Sequence, residues 1–483
     1  MGVIGNLVRR KSVFISIVIA SLLFFAKAVF ASAGVNIDIE NRCFYPVTFS
    51  MTDENSPNVE QALTIQSSTK KLLSYVKDRS VSIAAVSSKN EQLGSLTVWL
   101  HDDTWGNYLD VQNLTGDIYI DQSSMSWHSW EGTPTVTVTT CKQQIDLSQS
   151  KIFDGVQRVI FFGDSLTDKG TLNEYTLGVI PQSPPYYDGM FSNGSTWAVQ
   201  FSRDLNQAGI ETSNYAIGGA TAVFDLGGDI PYSLDGELET YQLNSNVKWW
   251  TDQDKQLVFI FIGANDYLTV KANLSDSKID QMTTGVVDNI QSNIKWLINY
   301  GVKRFVIIGL PDLSQTPESK VDLENTHSTY ELSIMHNKKL ASMVEQLQAN
   351  YQSSQIQFQY INTIDLFELL FNQTEKMNKL YHMSINPDNN SLSCWLGGYS
   401  ISGLTSNSLM INRYYVKQPA NVINILQQLP NTADIQTAML VANSGQLCDN
   451  PENYIFWDRV HPTSQIHNAL YSYIKEQLHI KSI

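Results

Sequence analysis

RVIFFGDSLTDKG occupies residues 158–170. Val159, Ile160, Phe161 and Phe162 form an unbroken apolar run, the composition of a strand buried on both faces. The run then stops on Gly163, Asp164 and Ser165. One reading of that stop is a strand-to-helix turn in which Ser165 caps the following helix. The other is a nucleophile delivered to the tip of a strand.

The same pattern recurs outward from this stretch. QLVFIFIG and KRFVIIGLPDL read as further buried strands, TSNYAIGG as a strand ending in glycines, and IQFQYINTIDLF as another strand. Between them TWAVQFSRDLNQAG, TTGVVDNIQSNIKWLINYG (ending at Gly301) and HNKKLASMVEQLQANY carry helical periodicity. Continuous apolar strands alternating with amphipathic helices predict an α/β fold, a parallel sheet with helices on both faces. Ligands in such folds bind beyond the carboxyl ends of the strands. Ser165, the Gly218-Gly219 pair and Asn265 each fall just past an apolar run, and a capping serine has no reason to be matched by two other such sites.

Residues 34–150 differ. VNIDIE, SVSIAAV, GSLTVWL, GDIYID and TPTVTVTTC alternate or are β-branched, and Ser, Asn, Asp and Gly turns separate them. They predict a small β-sandwich-like domain, joined through a polar linker at 143–150 to an α/β domain at 151–483. His101 and His128 have no suitably spaced partner and read as surface or packing residues. Trp99, Trp105, Trp127 and Trp130 offer a sugar or lipid platform, with core packing the simpler role.

Residues 1–33 place Arg9, Arg10 and Lys11 before an apolar run from Ser12 to Ala26 and the small residues Ala31-Ser32-Ala33. That order predicts a secretory signal peptide cut after Ala33; the run is shorter than the roughly 20 residues of a spanning helix. Its removal takes four positive and no negative charges, shifting the formal charge from −15 to −19. Such acidity argues against nucleic acid as a partner and against electrostatic docking on anionic lipid. Export also predicts that Cys43, Cys141, Cys394 and Cys448 are paired. Three pairings are possible, and proximity in the domain map favours Cys43 with Cys141 and Cys394 with Cys448. No CxxC spacing is present, so no metal site is expected; no cofactor is expected either.

A serine hydroxyl needs a base and something to orient that base. FWDRVHPTS supplies Asp458 three residues before His461, on a turn that lets the carboxylate reach one imidazole nitrogen while the other faces Ser165. Donors for a tetrahedral oxyanion are then the backbone N–H groups of Ser165 and Gly219 and the side-chain amide of Asn265.

With these blocks in order, the sequence resembles the SGNH or GDSL family of serine esterases and lipases: FGDSLTD, NYAIGGAT, GANDY and DRVHPT match its four motifs between about residues 157 and 480. PPYYDGMFSNGSTWAVQF and GLPDLSQTP are similar to segments of its secreted bacterial branch of phospholipase A and lysophospholipase enzymes, glycerophospholipid:cholesterol acyltransferases and thermolabile hemolysins. The hemolysins likewise carry an extra N-terminal domain. The resemblance implies Ser165, His461 and Asp458 as catalytic residues and an acyl-enzyme mechanism. It also implies a phospholipid or lysophospholipid substrate, cholesterol as a second acyl acceptor, and transient contact with a membrane or micelle surface. The chain departs from the branch at Lys169-Gly170-Thr171, where Gly-Asn is common, so the choice of acceptor is expected around these residues and the segment between Cys394 and Cys448. That segment, with WLGGYSISG and PANVINILQQL, reads as a lid or as a passive insertion, after which the chain is expected to return to the sheet just before Asp458. Two further readings are a GDSL carbohydrate acetyl-esterase or short-chain esterase, and an adhesive protein on an inactive hydrolase scaffold; the complete residue set argues against the second.

Overall fold

The structure is a computed structural model that describes residues 34–482 apart from 44, 54–59, 66–68, 77–78, 89, 104–105, 121–123, 128–133, 142–144, 177, 179, 224–231, 248–251, 269, 271–272, 322 and 398–445. The signal-peptide expectation at 1–33 and most of the lid segment therefore lie outside the described residues. No helix among the described residues is long and apolar enough to cross a membrane. The chain divides into two compact units, one ending at Lys142 and the other beginning at Gln143.

The first unit holds two sheets. Thr69–Val76, Gly34–Asn41, Thr135–Thr140 and Ile118–Ile120 form one; Glu60–Ile65, Val47–Asp53, Arg79–Ser87, Gln92–Asp103, Gly106–Gly116 and Ser124–Trp127 form the other, in those orders. Alternate residues point inward as strand geometry requires. Val35, Ile37 and Ile39, Val136 and Val138, Val81, Ile83 and Ala85, and Leu96, Val98 and Leu100 thus share one apolar core. Asn36–Asn41 run parallel to Thr135–Thr140, and Cys43 is bonded to Cys141, so the two ends of the unit are held side by side. His101 stacks on Tyr108 with ring centroids 4.2 Å apart, which makes it a packing residue. Trp105, His128, Trp130 and the side chain of Trp127 lie outside the description.

In the second unit, β1 (Arg158–Gly163), β2 (Glu211–Asn214), β3 (Gln256–Phe261), β4 (Arg304–Ile308) and β5 (Gln357–Ile361) form a parallel sheet in the order β2-β1-β3-β4-β5. Every residue of β3 is buried. Successive side chains of β1 face opposite ways. Phe161 meets Trp197 and Phe201 of α1 (Trp197–Gln207), whereas Phe162 meets Tyr241 of α2 (Leu234–Val247). α3 (Asp276–Tyr300) and α4 (Leu323–Asn350) pack together beside α2, and α6 (Ser464–Gln477) packs on α1. Helices therefore cover both faces. The order of the strands reverses at β1, which is the position where open α/β sheets present a crevice.

Three details differ from the sequence reading. Residues 143–150 are not a free linker: Ile145 and Asp146 pair with Ser482 and Lys481, and Ile145 joins the core of the second unit. IQFQYINTIDLF is a strand only to Ile361. Asn362 Oδ1 then accepts from Ile364 N at 3.2 Å, and α5 (Ile364–Asn372) begins. Before Asp458 the chain does not re-enter the sheet. Phe456 instead makes isolated bridges to Ser393 and Pro462, beside the Cys394–Cys448 disulfide.

Candidate active site

Ser165 lies in the turn after β1, where the N–H groups of Thr167 and Asp168 both donate to Asp164 O at 2.9 Å. It is not a helix cap. The next helix starts only at Thr171, and Asp168 accepts the N–H groups of Gly170, Thr171 and Leu172 at 2.8, 2.6 and 3.2 Å. Asp168 also accepts Gly218 N–H at 2.8 Å, which ties the serine turn to the glycine pair after β2. Burial pushes the Asp168 carboxyl up, and these amide donors draw it part of the way back. Ser165 Oγ, released from capping, lies 2.8 Å from His461 Nε2.

The histidine reaches the serine from a separate loop. Trp457 N–H donates to His461 O at 2.8 Å, closing the turn that carries Asp458 and His461 into the start of α6. His461 Nδ1 lies 2.8 Å from Asp458 Oδ2, while Asp458 Oδ1 accepts the N–H groups of Val460 and His461 at 2.8 and 2.7 Å. Both side chains are buried. Burial alone would raise the Asp458 pKa, but the charge and hydrogen bonds of His461, joined by Tyr186, leave it below the ordinary aspartate value. Asp458 stays ionised beside the imidazole.

Gly219 follows β2 at φ +78°, a conformation that favours glycine. A Cβ on neighbouring Gly218 would lie 2.3 Å from Phe191 Cε2, so the backbone can pass here only without a side chain. Asn265 opens a short helix after β3 and donates through Nδ2 to Ala220 O at 2.9 Å. An amide carries two N–H bonds, so this contact orients the group and leaves a second donor for a ligand. The three sites thus stand at the carboxyl ends of three adjacent strands. Ser165, Asn265 and His461 line one cleft; Gly219 is not among its lining residues.

That cleft holds about 490 Å³ of non-atom space, counted with its open mouth, and its walls include Leu166, Leu268, Leu313, Phe367, Phe456 and Val460. Apolar walls with a few convergent polar groups are what an acyl chain and its ester require. Lys169, Gly170 and Thr171 are not among the described lining residues; Gly170 and Thr171 instead spend their N–H groups on Asp168.

Sequence reasoning left Asp168 without a role and overlooked two other residues. Glu237 is fully buried on α2, on the same face as Leu234, Leu238 and Tyr241, and accepts Gly163 N–H at 3.0 Å, bracing the end of β1. Burial pushes its carboxyl well above the usual range. An acidic residue at the helical period of an apolar face is the signal that marks it. Tyr186 donates from its hydroxyl to Asp458 Oδ2 at 2.6 Å, a contact across 272 residues of sequence that no local pattern announces.

Residues 159–474 match the family described as GDSL-like Lipase/Acylhydrolase. This chain belongs to that family. Among its relatives, a phosphatidylcholine-sterol acyltransferase of Aeromonas hydrophila is 28% identical over 65% of this chain and 87% of its own length. The secreted effector protein SseJ of Salmonella typhimurium is 32% identical over 44% of this chain and 49% of its own. A carbohydrate acetylesterase from Sinorhizobium meliloti, at 15% identity and TM-score 0.28, overlaps 43% of this chain and 85% of its own, too loosely to bear on function. Membership of the family makes this protein a serine ester hydrolase with a parallel α/β core.

Proposed function

We propose that this protein is an exported lipid acyl-ester hydrolase, a phospholipase A or lysophospholipase, in which Ser165 is the nucleophile, His461 the base and Asp458 its orienting carboxylate. The observation that carries the reading is the unbroken Ser165–His461–Asp458 relay, 2.8 Å at each step, opening on an apolar cleft. Ser165 Oγ attacks the ester carbonyl carbon as His461 Nε2 takes its proton. The oxyanion is held by the N–H groups of Ser165 and Gly219 and the free N–H of Asn265. Collapse expels the alcohol, which receives the proton from His461, and leaves an acyl-enzyme. Water resolves it by the same proton relay, and a sterol hydroxyl in place of water gives acyl transfer. The name of the Aeromonas relative, a phosphatidylcholine-sterol acyltransferase, supports a phosphatidylcholine donor and a sterol acceptor. Two disulfides, and relatives that include a secreted effector, support an extracellular destination.

The test is the purified chain on phosphatidylcholine, lysophosphatidylcholine and a short-chain nitrophenyl ester, with and without cholesterol, beside Ser165→Ala. Cleavage of the lipids, abolished by the substitution, is expected. Turnover of acetyl esters alone, with both lipids untouched, would overturn the lipid assignment, and hydrolysis surviving in the alanine variant would overturn the mechanism.

A further inference from the structure

The segment PPYYDGMF, residues 184–191, lies outside the four motif blocks, yet it meets the catalytic loop from above the carboxylate. Tyr186 is buried, and its ring packs edge-on against Phe191 at 5.8 Å and Trp457 at 6.4 Å between centroids. Phe191 in turn tilts against the His461 ring at 4.8 Å. Two aromatic side chains, Phe191 and Trp457, thus hold the ring that carries one hydroxyl, and that hydroxyl donates to the carboxylate oxygen that also faces His461 Nδ1.

We propose that Tyr186 is a positioning residue of the reaction: its hydroxyl fixes the rotamer of Asp458 and moderates the basicity of Oδ2, and so sets how strongly Asp458 holds the imidazolium. This rests on the Ser165–His461–Asp458 reading. Oδ1 is already bound by two backbone N–H groups, so the loop would hold Asp458 roughly in place without Tyr186. What the phenol adds is a second donor on Oδ2. A carboxylate oxygen shared between two donors binds each less strongly, so removing the phenol strengthens its grip on the charged imidazole while loosening its orientation. Among the described residues, Asp164, from the turn after β1, and His467, from α6, also face the histidine. Burial holds His467 down at about 3, so it stays neutral. Burial lifts Asp164 to about 7, so the comparison is repeated with Asp164→Asn.

Tyr186→Phe keeps the ring and its packing and removes only the hydroxyl. On a soluble ester it is expected to lower kcat about 10-fold, with KM within about twofold, and to move the acid limb of the kcat/KM profile up by about half a pH unit. The shift persists in the Asp164→Asn background. In the Asp458→Asn background the same substitution has no further effect on kcat. Unchanged kcat and acid limb, or an equal loss with Asp458→Asn, would overturn the proposal. A second measurement needs no change at Tyr186: in the unsubstituted protein its hydroxyl proton gives a slowly exchanging, low-field NMR signal that moves on Asp458→Asn. Rapid exchange, or no movement, sinks the idea even if Tyr186→Phe fails to fold. Activity surviving Ser165→Ala, by contrast, fails the nucleophile reading and leaves the NMR result standing by itself.

Discussion

In the sandwich ending at Lys142, the buried polar side chains among the described residues are neutral except Glu40. Glu40 pairs with Arg42 at 3.0 Å two residues away, and Asn41 donates to the carbonyls of Tyr45 and Ile65. In the α/β unit Asp164, Ser165, Asp168, Glu237, Asp458 and His461 are all buried near one edge of the sheet. The Ser165–His461 contact there spans 296 residues of sequence. Burying a carboxylate is costly, and partners drawn from distant elements hold it only if the whole unit folds. A domain that needs only stability avoids that arrangement; one that performs chemistry concentrates it. The contrast supports the second unit as the seat of the proposed reaction.

The sharpest way to break this comparison is Ser165→Ala, which should lower kcat by about 10⁴-fold or more while leaving the melting temperature nearly unchanged. Steady-state kinetics beside a thermal melt checks both halves. In the opposite direction, replacing Cys43 and Cys141 by Ser opens a 98-residue loop. On the chain-entropy account it costs about 4.7 kcal/mol of stability in the sandwich, with kcat/KM on a soluble ester within about twofold. Denaturant unfolding and an ester assay separate the two, and a collapse of activity without unfolding would show that the first unit takes part in the chemistry. Asn265→Ala should cost about 10²- to 10³-fold in kcat through the oxyanion, with KM little altered.

The smallest effect is one of pH. Burial lifts the Asp164 carboxyl to about 7, offset in part by Leu166 N–H and His461. A carboxyl raised in the native state favours folding in its protonated form. That contribution is complete below the unfolded value, near pH ~3.9, and is lost as pH rises through about 7. Asp164→Asn should therefore flatten the fall of Tm across that interval by about 3 °C. An unchanged slope in a melting series would show that Asp164 is already ionised in the native protein. Asp458, lowered in the native state, acts in the opposite sense, its contribution fading as pH falls.

Much of the site was legible because backbone-determined features leave local marks. An apolar run ending in Gly-Asp-Ser, a Gly-Gly after a second strand and an Asn after a third imply a shared sheet edge through strand geometry alone. The Asp458–His461 pair was legible because three residues of a turn suffice to connect them. Lys169 to Thr171 are not among the cleft's described walls, and Asp168 gathers the N–H groups of Gly170 and Thr171. The turn from β5 into α5 was missed because apolar residues recur along IQFQYINTIDLF on both sides of it, and the turn at Asn362, whose Oδ1 accepts from Ile364 N, separates strand from helix.

By itself, then, the amino-acid sequence determined the alternation of buried strands and helices, the two kinds of unit, and the residue types at the strand tips. Each follows from short-range periodicity and composition. Tertiary structure alone decided that Asp168 rather than Ser165 caps the helix, that Glu237 braces β1, and that Tyr186 holds Asp458. These assignments depend on which distant side chain reaches a buried polar atom first, and the packing of elements hundreds of residues apart settles that competition.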